Sequence, residues 1–129
     1  GGRHGTVKTS DGLLDLSLAI PKEMGGQGGA TNPEQLFAAG YAACFENAVI
    51  HVSRSMDTKV RDKDIEVTAT VGMNQNDAGG FALNVGMDVS ITGVDQPTAE
   101  KIVAAAHSVC PYSNAVKGNV DVDIKVSTT

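Results

Sequence analysis

The segment between residues 32 and 55 reads NPEQLFAAGYAACFENAVIHVSRS, and it predicts the central element of the fold. Asn32 is a good helix cap, Pro33 suits the first helical position, and an acidic side chain follows in the first turn. These signals predict a helix from about Pro33 to about Ser55. From residue 36 to residue 45 every side chain is apolar, small or weakly polar, so the segment lacks the polar stripe of a surface helix. We expect this helix to be buried on all sides.

Strand-like alternation of apolar and polar residues flanks this helix on both sides. Asp11 and Gly12 separate two short strands between residues 6 and 20, which predicts an N-terminal hairpin. Further strands are predicted over 65–73, 81–92 and 120–126, and a second helix over about 95–108. The sum is an α+β fold, in which an antiparallel sheet packs with a buried central helix and a second helix. With 129 residues, the chain is expected to be one domain, 1–129.

An all-round apolar helix has a consequence for assembly. A sheet covers only one side of such a helix, and a chain of this length offers few further elements to cover the other side. The simplest solution is a homodimer in which the central helices pack together.

Composition excludes several classes of partner. The net charge is -5 and the pI is about 5.0, without a run of basic residues, so we expect no nucleic acid partner. No apolar stretch approaches the roughly 18 residues that span a bilayer, so we expect no membrane association and a cytoplasmic protein, unless a leader was removed. His4, His51 and His107 are far apart in sequence, which predicts no metal site, and no cofactor is expected. We interpret His51 and His107 as surface or packing residues, although His107 lies three positions before Cys110 and could face it if the helix persists.

The two cysteines, Cys44 and Cys110, allow two interpretations. They could form a structural disulfide in a secreted protein, or a pair of reactive thiols in a reducing compartment. Taken alone, Cys44 among alanines is more often a small buried residue than a nucleophile. Arg3 and Glu34 are equally uninformative in isolation, since one lies near a terminus and the other is a common first-turn acid.

Longer strings around the cysteines are far more specific. Residues 31–45, TNPEQLFAAGYAACF, and residues 109–115, VCPYSNA, closely resemble the two cysteine motifs of the organic hydroperoxide resistance (Ohr) proteins. Gly1-Gly2-Arg3 and Ser10-Asp11-Gly12 also resemble that family. The resemblance therefore runs the whole length of the chain.

The resemblance implies an intertwined α+β homodimer with two active sites at the interface. It implies reduction of organic hydroperoxides, with a dihydrolipoyl-type dithiol as the electron donor. In that family the peroxidatic cysteine matches Cys44 and the resolving cysteine matches Cys110. The family's site arginine matches Arg3, and its site glutamate matches Glu34.

Elementary chemistry is consistent with these roles. The thiolate is the nucleophile, and a cysteine of ordinary pKa is only about 3% ionised at pH 7. Arg3 would stabilise the Cys44 thiolate, and Glu34 would orient the guanidinium. Ten positions separate Glu34 from Cys44, which is roughly 15 Å along a straight helix. Either the helix breaks, with Gly40 the favoured place, or one residue comes from the other subunit.

Apolar side chains near the cysteine motif could line a substrate site, although core packing is the commoner fate of such residues. The candidates are Leu36, Phe37, Tyr41 and Phe45.

Three alternatives to an Ohr peroxidase stay open. One is the sister osmotically inducible (OsmC) branch of the same superfamily, with the same cysteine chemistry. Another is a non-enzymatic dimer that binds small apolar ligands or senses oxidants through its disulfide. The third is a secreted domain with a structural disulfide.

Overall fold

A computed structural model of the chain describes residues 5–129. Two compact units divide the chain, Gly1–Phe37 and Ala38–Thr129. The longest helix, α1 (Pro33–Ser55), runs through the boundary between them. The expected single-domain organisation stays a prediction.

The first unit contains the expected N-terminal hairpin. Strands β1 (Gly5–Lys8) and β2 (Asp15–Leu18) pair antiparallel. In the connecting turn, the Asp11 carboxylate accepts hydrogen bonds from the Thr9 hydroxyl at 2.7 Å and from the Leu13 N–H at 3.0 Å. Gly12 follows with a φ of 75°, a conformation that favours glycine. The hairpin prediction is confirmed, with strands shorter than the alternation indicated.

The same unit holds the start of α1, and its predicted cap is present. The side-chain oxygen of Asn32 accepts the backbone N–H of Gln35 at 2.9 Å, which satisfies one of the otherwise unpaired N–H groups of the first turn. Both predicted ends of the helix, Pro33 and Ser55, are confirmed.

A three-stranded sheet forms the second unit together with the helices. Strands β3 (Ile65–Gln75) and β4 (Phe81–Ile91) pair antiparallel, from Ile65 opposite Ile91 to Gln75 opposite Phe81. Strand β5 (Val122–Thr128) lies on the other side of β4 and runs parallel to it. The sheet is therefore mixed rather than wholly antiparallel. Parallel neighbouring strands need a long crossover connection. Here the helices between β4 and β5 return the chain to the end of the sheet where β4 begins, so β5 can run in the same direction as β4.

That connection contains two helices, α2 (Gln96–Val109) and α3 (Pro111–Val116). The sequence predicted α2 but not α3. Cys110 separates them with an extended backbone, a φ of -63° and a ψ of 124°, and Pro111 opens the shorter helix. The core of this unit draws on α1, β4 and α2, and the aliphatic side chains of β4 and α2 in it include Val85, Met87, Val89, Ile91, Ile102 and Val103.

One stripe of α1 is exposed in the single chain, contrary to the expected burial on all sides. Ala39, Ala43, Asn47 and His51 recur every four residues along this stripe and are exposed. Burial of the opposite side is complete at Tyr41, Phe45 and Val49. Sequence alone could not distinguish an interior helix from one whose small side chains lie at the surface of a single chain.

Within residues 5–129, no helix combines the length and the apolar character that crossing a membrane requires.

Candidate active site

Cys44 and Cys110 meet in the second unit. Cys44 lies in the middle of α1, and Cys110 lies at the junction between α2 and α3. Their Sγ atoms are 3.6 Å apart, and both side chains are free thiols. Because an S–S bond is about 2.05 Å long, a movement of roughly 1.5 Å would join the two sulfurs.

The two thiols differ in their access to solvent. Cys110 is 0% exposed, whereas Cys44 is half-buried. Beside Cys44 lies a cavity of about 220 Å³, lined by Cys44, Asn47, Ala48, His51, Val109 and Pro111. A reagent from solvent therefore reaches Cys44 first.

Opposing effects act on the Cys44 thiol. Burial raises its pKa above the ordinary value, the backbone N–H of Tyr112 lowers it by hydrogen bonding, and the neighbouring Cys110 thiol raises it. Burial is the largest of these effects, so the described surroundings favour the protonated thiol. A reactive thiolate at this position requires a positive charge nearby.

A hydrogen-bond network centred on a buried hydroxyl lies next to the cysteines. Tyr41 Oη and Ser113 Oγ are 2.7 Å apart, and Ser113 Oγ is 2.8 Å from His107 Nδ1. Ser113 is 3% exposed and Tyr41 is 0% exposed. The network connects one residue each from α1, α2 and α3 through a single hydroxyl.

Aromatic contacts surround this network. The ring of Tyr41 lies 6.5 Å from the ring of Phe45 and 5.8 Å from the ring of Tyr112, measured between centroids. The ring of Phe45 lies 6.4 Å from the imidazole of His107. All three pairs are tilted, as aromatic pairs in protein cores commonly are.

The candidates for substrate contact lie in different surroundings. Tyr41 and Phe45 are fully buried, and the cavity beside Cys44 is lined by other residues. Leu36 and Phe37 lie in the first turns of α1 and are half-buried.

Gly40 has a different role from the predicted helix break. The α1 helix is continuous through this position, so that alternative was wrong. A Cβ atom on Gly40 would lie 2.9 Å from the Tyr112 hydroxyl oxygen and 3.2 Å from the ring. The missing side chain therefore allows the Tyr112 ring to approach the helix.

The structure describes only one of the two charged candidates. Glu34 lies in the first turn of α1 and is half-buried. Arg3 lies outside the described residues.

The chain's relationships follow from comparison with known proteins. A family model for OsmC-like proteins matches residues 26–125. The chain belongs to the OsmC-like protein family.

Similar members of this family are named for organic hydroperoxide resistance. The organic hydroperoxide resistance protein of Xanthomonas axonopodis pv. citri is 44% identical over 128 residues, which cover 98% of this chain and 89% of that protein. The crystal structure of the organic hydroperoxide resistance protein OsmC of Legionella pneumophila is 55% identical, with a TM-score of 0.92 over 98% of this chain and 91% of that one. For OhrB of Bacillus subtilis, the identity is 41% and the TM-score 0.87, over 98% and 92% of the two chains. The Ohr resemblance and the α+β fold predicted from the sequence are confirmed.

Sequence reasoning about this OsmC-like chain missed two residues of the site. Ser113 and Tyr112 belong to the VCPYSNA string, yet neither was given a role. His107 was interpreted as a surface or packing residue, whereas it hydrogen-bonds the buried Ser113 hydroxyl. A signal was available for Ser113, because it lies three positions after Cys110, just as His107 lies three positions before it.

Proposed function

We propose that this OsmC-like protein is a thiol-dependent peroxidase that reduces organic hydroperoxides to alcohols. One observation carries the proposal: the Cys44 and Cys110 sulfurs lie 3.6 Å apart, and Cys44 is the more accessible of the two. A thiol that meets solvent next to a fully buried thiol suits a peroxidatic and a resolving cysteine. Relatives named for organic hydroperoxide resistance supply the substrate class.

The first step is attack of the Cys44 thiolate on the terminal peroxide oxygen. The O–O bond breaks, the alcohol leaves with a proton, and Cys44 becomes a sulfenic acid. In the second step the Cys110 sulfur attacks the Cys44 sulfur, the S–S bond forms, and the hydroxyl leaves as water. The short distance between the sulfurs favours this intramolecular step over reaction with a second peroxide.

A dithiol completes the cycle. One of its thiolates attacks the Cys44–Cys110 disulfide, and its second thiol releases the protein as two thiols while the dithiol becomes a disulfide. A dihydrolipoyl-type dithiol is the proposed reductant. The cavity beside Cys44, bordered by Val109 and Pro111, offers a route for it to Cys44. Repeated reduction of this kind suits a reducing compartment, and we assign the protein to the cytoplasm.

Arg3 and Glu34 are the proposed charged partners of Cys44. Burial of the thiol raises its pKa, so thiolate formation at neutral pH needs a compensating cation. An arginine keeps its charge throughout the physiological range, and a carboxylate can fix the direction of its fork. The same cation would stabilise the alkoxide that leaves in the first step.

A homodimer is the proposed assembly, with the exposed stripe of α1 as its contact surface. Ala39 and Ala43 are small enough for two helices to approach closely, and Cys44 follows directly in sequence. The continuous α1 leaves the second subunit as the remaining source of one charged partner. Apolar lining for the substrate is proposed from Leu36 and Phe37, which are half-buried, whereas Tyr41 and Phe45 are fully buried and pack in the core.

The test is consumption of tert-butyl hydroperoxide by wild type, Cys44→Ser and Cys110→Ser, each checked by melting temperature. Wild type with dihydrolipoamide should turn over many times, and Cys44→Ser should lose at least roughly 99% of the rate. Without reductant, Cys110→Ser should stall as a sulfenic acid after one equivalent, or be oxidised further to a sulfinic acid when peroxide is in excess. Consumption by Cys44→Ser at the wild-type rate would contradict the proposal.

The same measurement separates an enzyme from its main competitor. A redox sensor reacts once per chain and is then reset slowly, whereas an enzyme consumes peroxide continuously while dithiol remains. A single equivalent consumed by wild type in the presence of dihydrolipoamide would favour the sensor. The structural disulfide is disfavoured by the accessibility of Cys44, since a sulfur that solvent can reach is open to exchange.

A further inference from the structure

We propose that Tyr41, Ser113 and His107 form a positioning network that holds Cys110 ready to close the disulfide on oxidised Cys44. The inference rests on the proposed function and concerns its second step alone. Ser113 is the centre of the network, and none of the three residues is proposed to contact the peroxide.

Each network residue lies three positions from a cysteine in sequence. His107 and Ser113 lie three positions before and after Cys110, and Tyr41 lies three positions before Cys44. Three positions are about one helical turn, so each network residue lies one turn from a sulfur. One hydroxyl thereby connects the turn of α1 that precedes Cys44 with the two turns that flank Cys110.

The junction at Cys110 is the point that needs to be held. Its extended backbone ends α2 and begins α3, so the angle between these helices determines where the Cys110 sulfur lies. The bond between His107 Nδ1 and Ser113 Oγ spans this junction at 2.8 Å. The bond between Ser113 Oγ and Tyr41 Oη, at 2.7 Å, fixes α3 against α1.

Burial makes the network selective for one arrangement. Ser113 is 3% exposed and Tyr41 is 0% exposed, so a shift that breaks the bond between their hydroxyls costs more free energy than the loss of a surface hydrogen bond. Fully satisfied buried networks of this kind favour a single geometry over nearby ones. Apolar packing alone would tolerate a displacement of α3 more readily.

Such precision matters for closing the disulfide. The two sulfurs must approach from 3.6 Å to about 2.05 Å while the sulfenic hydroxyl leaves as water with the Cys110 proton. A misplacement of about 1 Å can reduce the rate of an intramolecular reaction roughly a hundredfold. A slower second step leaves the sulfenic acid open to a second peroxide, which oxidises it to a sulfinic acid and releases a second alcohol.

The experiment is a single-turnover reaction followed by mass spectrometry. Reduced protein is mixed with tert-butyl hydroperoxide at one and at twenty equivalents, dimedone traps the sulfenic acid, and disulfide, trapped and sulfinic forms are counted over time. Ser113→Ala and His107→Leu should consume the first equivalent at a rate within about twofold of wild type, yet form the disulfide at least roughly tenfold more slowly. At twenty equivalents they should accumulate sulfinic acid where wild type does not.

Matched variants separate positioning from general damage. Ser108→Ala makes the same change at an exposed serine two positions from Cys110 and should behave as wild type. His107→Asn keeps a polar group able to reach the Ser113 hydroxyl and should restore much of the disulfide rate. Tyr41→Phe removes one hydroxyl and keeps the buried ring, so it replaces Ser113→Ala as the test of the network if Ser113→Ala fails to fold.

The outcomes are distinct. Equal slowing of both steps, or a wild-type disulfide rate in Ser113→Ala and Tyr41→Phe, would overturn the positioning role. Failure of wild type to form either a sulfenic acid on Cys44 or the Cys44–Cys110 disulfide would instead refute the proposed function. Slow disulfide formation with an unchanged first step, rescued by His107→Asn, is the result that we expect.

Discussion

Gly40 of α1 and Tyr112 of α3 approach so closely that a methyl group on Gly40 would lie 2.9 Å from the Tyr112 hydroxyl oxygen. Glycine in the middle of a helix normally costs stability relative to alanine, so its presence here requires a local reason. Close approach of the ring is that reason. Tyr112 also donates its backbone N–H to Cys44, so the approach bears directly on the proposed site.

Replacing Gly40 with alanine should therefore bring little or no stability. Helix propensity alone would add about 1 kcal/mol to the free energy of unfolding, but the Tyr112 side chain must move to admit the methyl group. We expect a gain well below that value in urea denaturation. Ala39→Gly makes the reverse change at the exposed neighbouring position and measures the effect of helix propensity alone. It should lower the free energy of unfolding by about 1 kcal/mol.

A double-mutant comparison identifies the cause. In a Tyr112→Ala background the obstructing ring is absent, and Gly40→Ala should then give the full propensity gain. A full gain already in the wild-type background would show that the ring does not restrict this position.

Glu46 should make stability depend on pH. Burial raises the pKa of this carboxyl, and its hydrogen bond with Asp62 and the charge of Asp62 raise it further. A carboxyl whose pKa is higher in the folded state stabilises the fold most when protonated, below the pKa of the unfolded chain, and this contribution is lost as pH rises through the folded pKa. The glutamine of the Glu46→Gln variant cannot ionise. The free energy of unfolding of the variant minus that of wild type should therefore increase from pH 4 towards pH 8 and then level off.

Urea denaturation at unit steps of pH provides the measurement. Glu66→Gln changes an exposed glutamate on β3 and controls for the loss of one negative charge. An unchanged difference between Glu46→Gln and wild type across the whole range would contradict the expected protonation.

Arg3 should control the ionisation of Cys44. Without a nearby cation, burial leaves the Cys44 pKa above that of an ordinary thiol, about 8.5. We expect iodoacetamide alkylation of Cys44, followed in a Cys110→Ser background, to have a midpoint below that value with Arg3 present. Arg3→Gln should move the midpoint above it, with roughly a tenfold or greater loss of alkylation rate at pH 7.

Lys8→Gln is the matched control for this experiment. It removes one positive charge from the exposed strand β1 and should leave the midpoint nearly unchanged. Equal midpoints for the Arg3 and Lys8 variants would remove Arg3 from the proposed mechanism.

The sequence by itself determined the elements whose signals are local. Asn32 and Pro33 specify the start of α1 because capping depends on a few neighbouring backbone groups, and alternation specified β3 and β4 because a strand presents every second side chain to one face. Two long motifs were also sufficient to identify the family, because a family can be identified from the order of its residues without knowing their positions in space.

Only the tertiary structure decided how distant segments meet. Cys44 and Cys110 are 66 positions apart, and no local rule brings their sulfurs to 3.6 Å. The parallel pairing of β5 likewise depends on where α2 and α3 place the chain. The Ser113 hydroxyl acquires its two partners only when three helices pack together. Such distances depend on the packing of elements that are remote in sequence, and the periodicity of a single element carries no information about them.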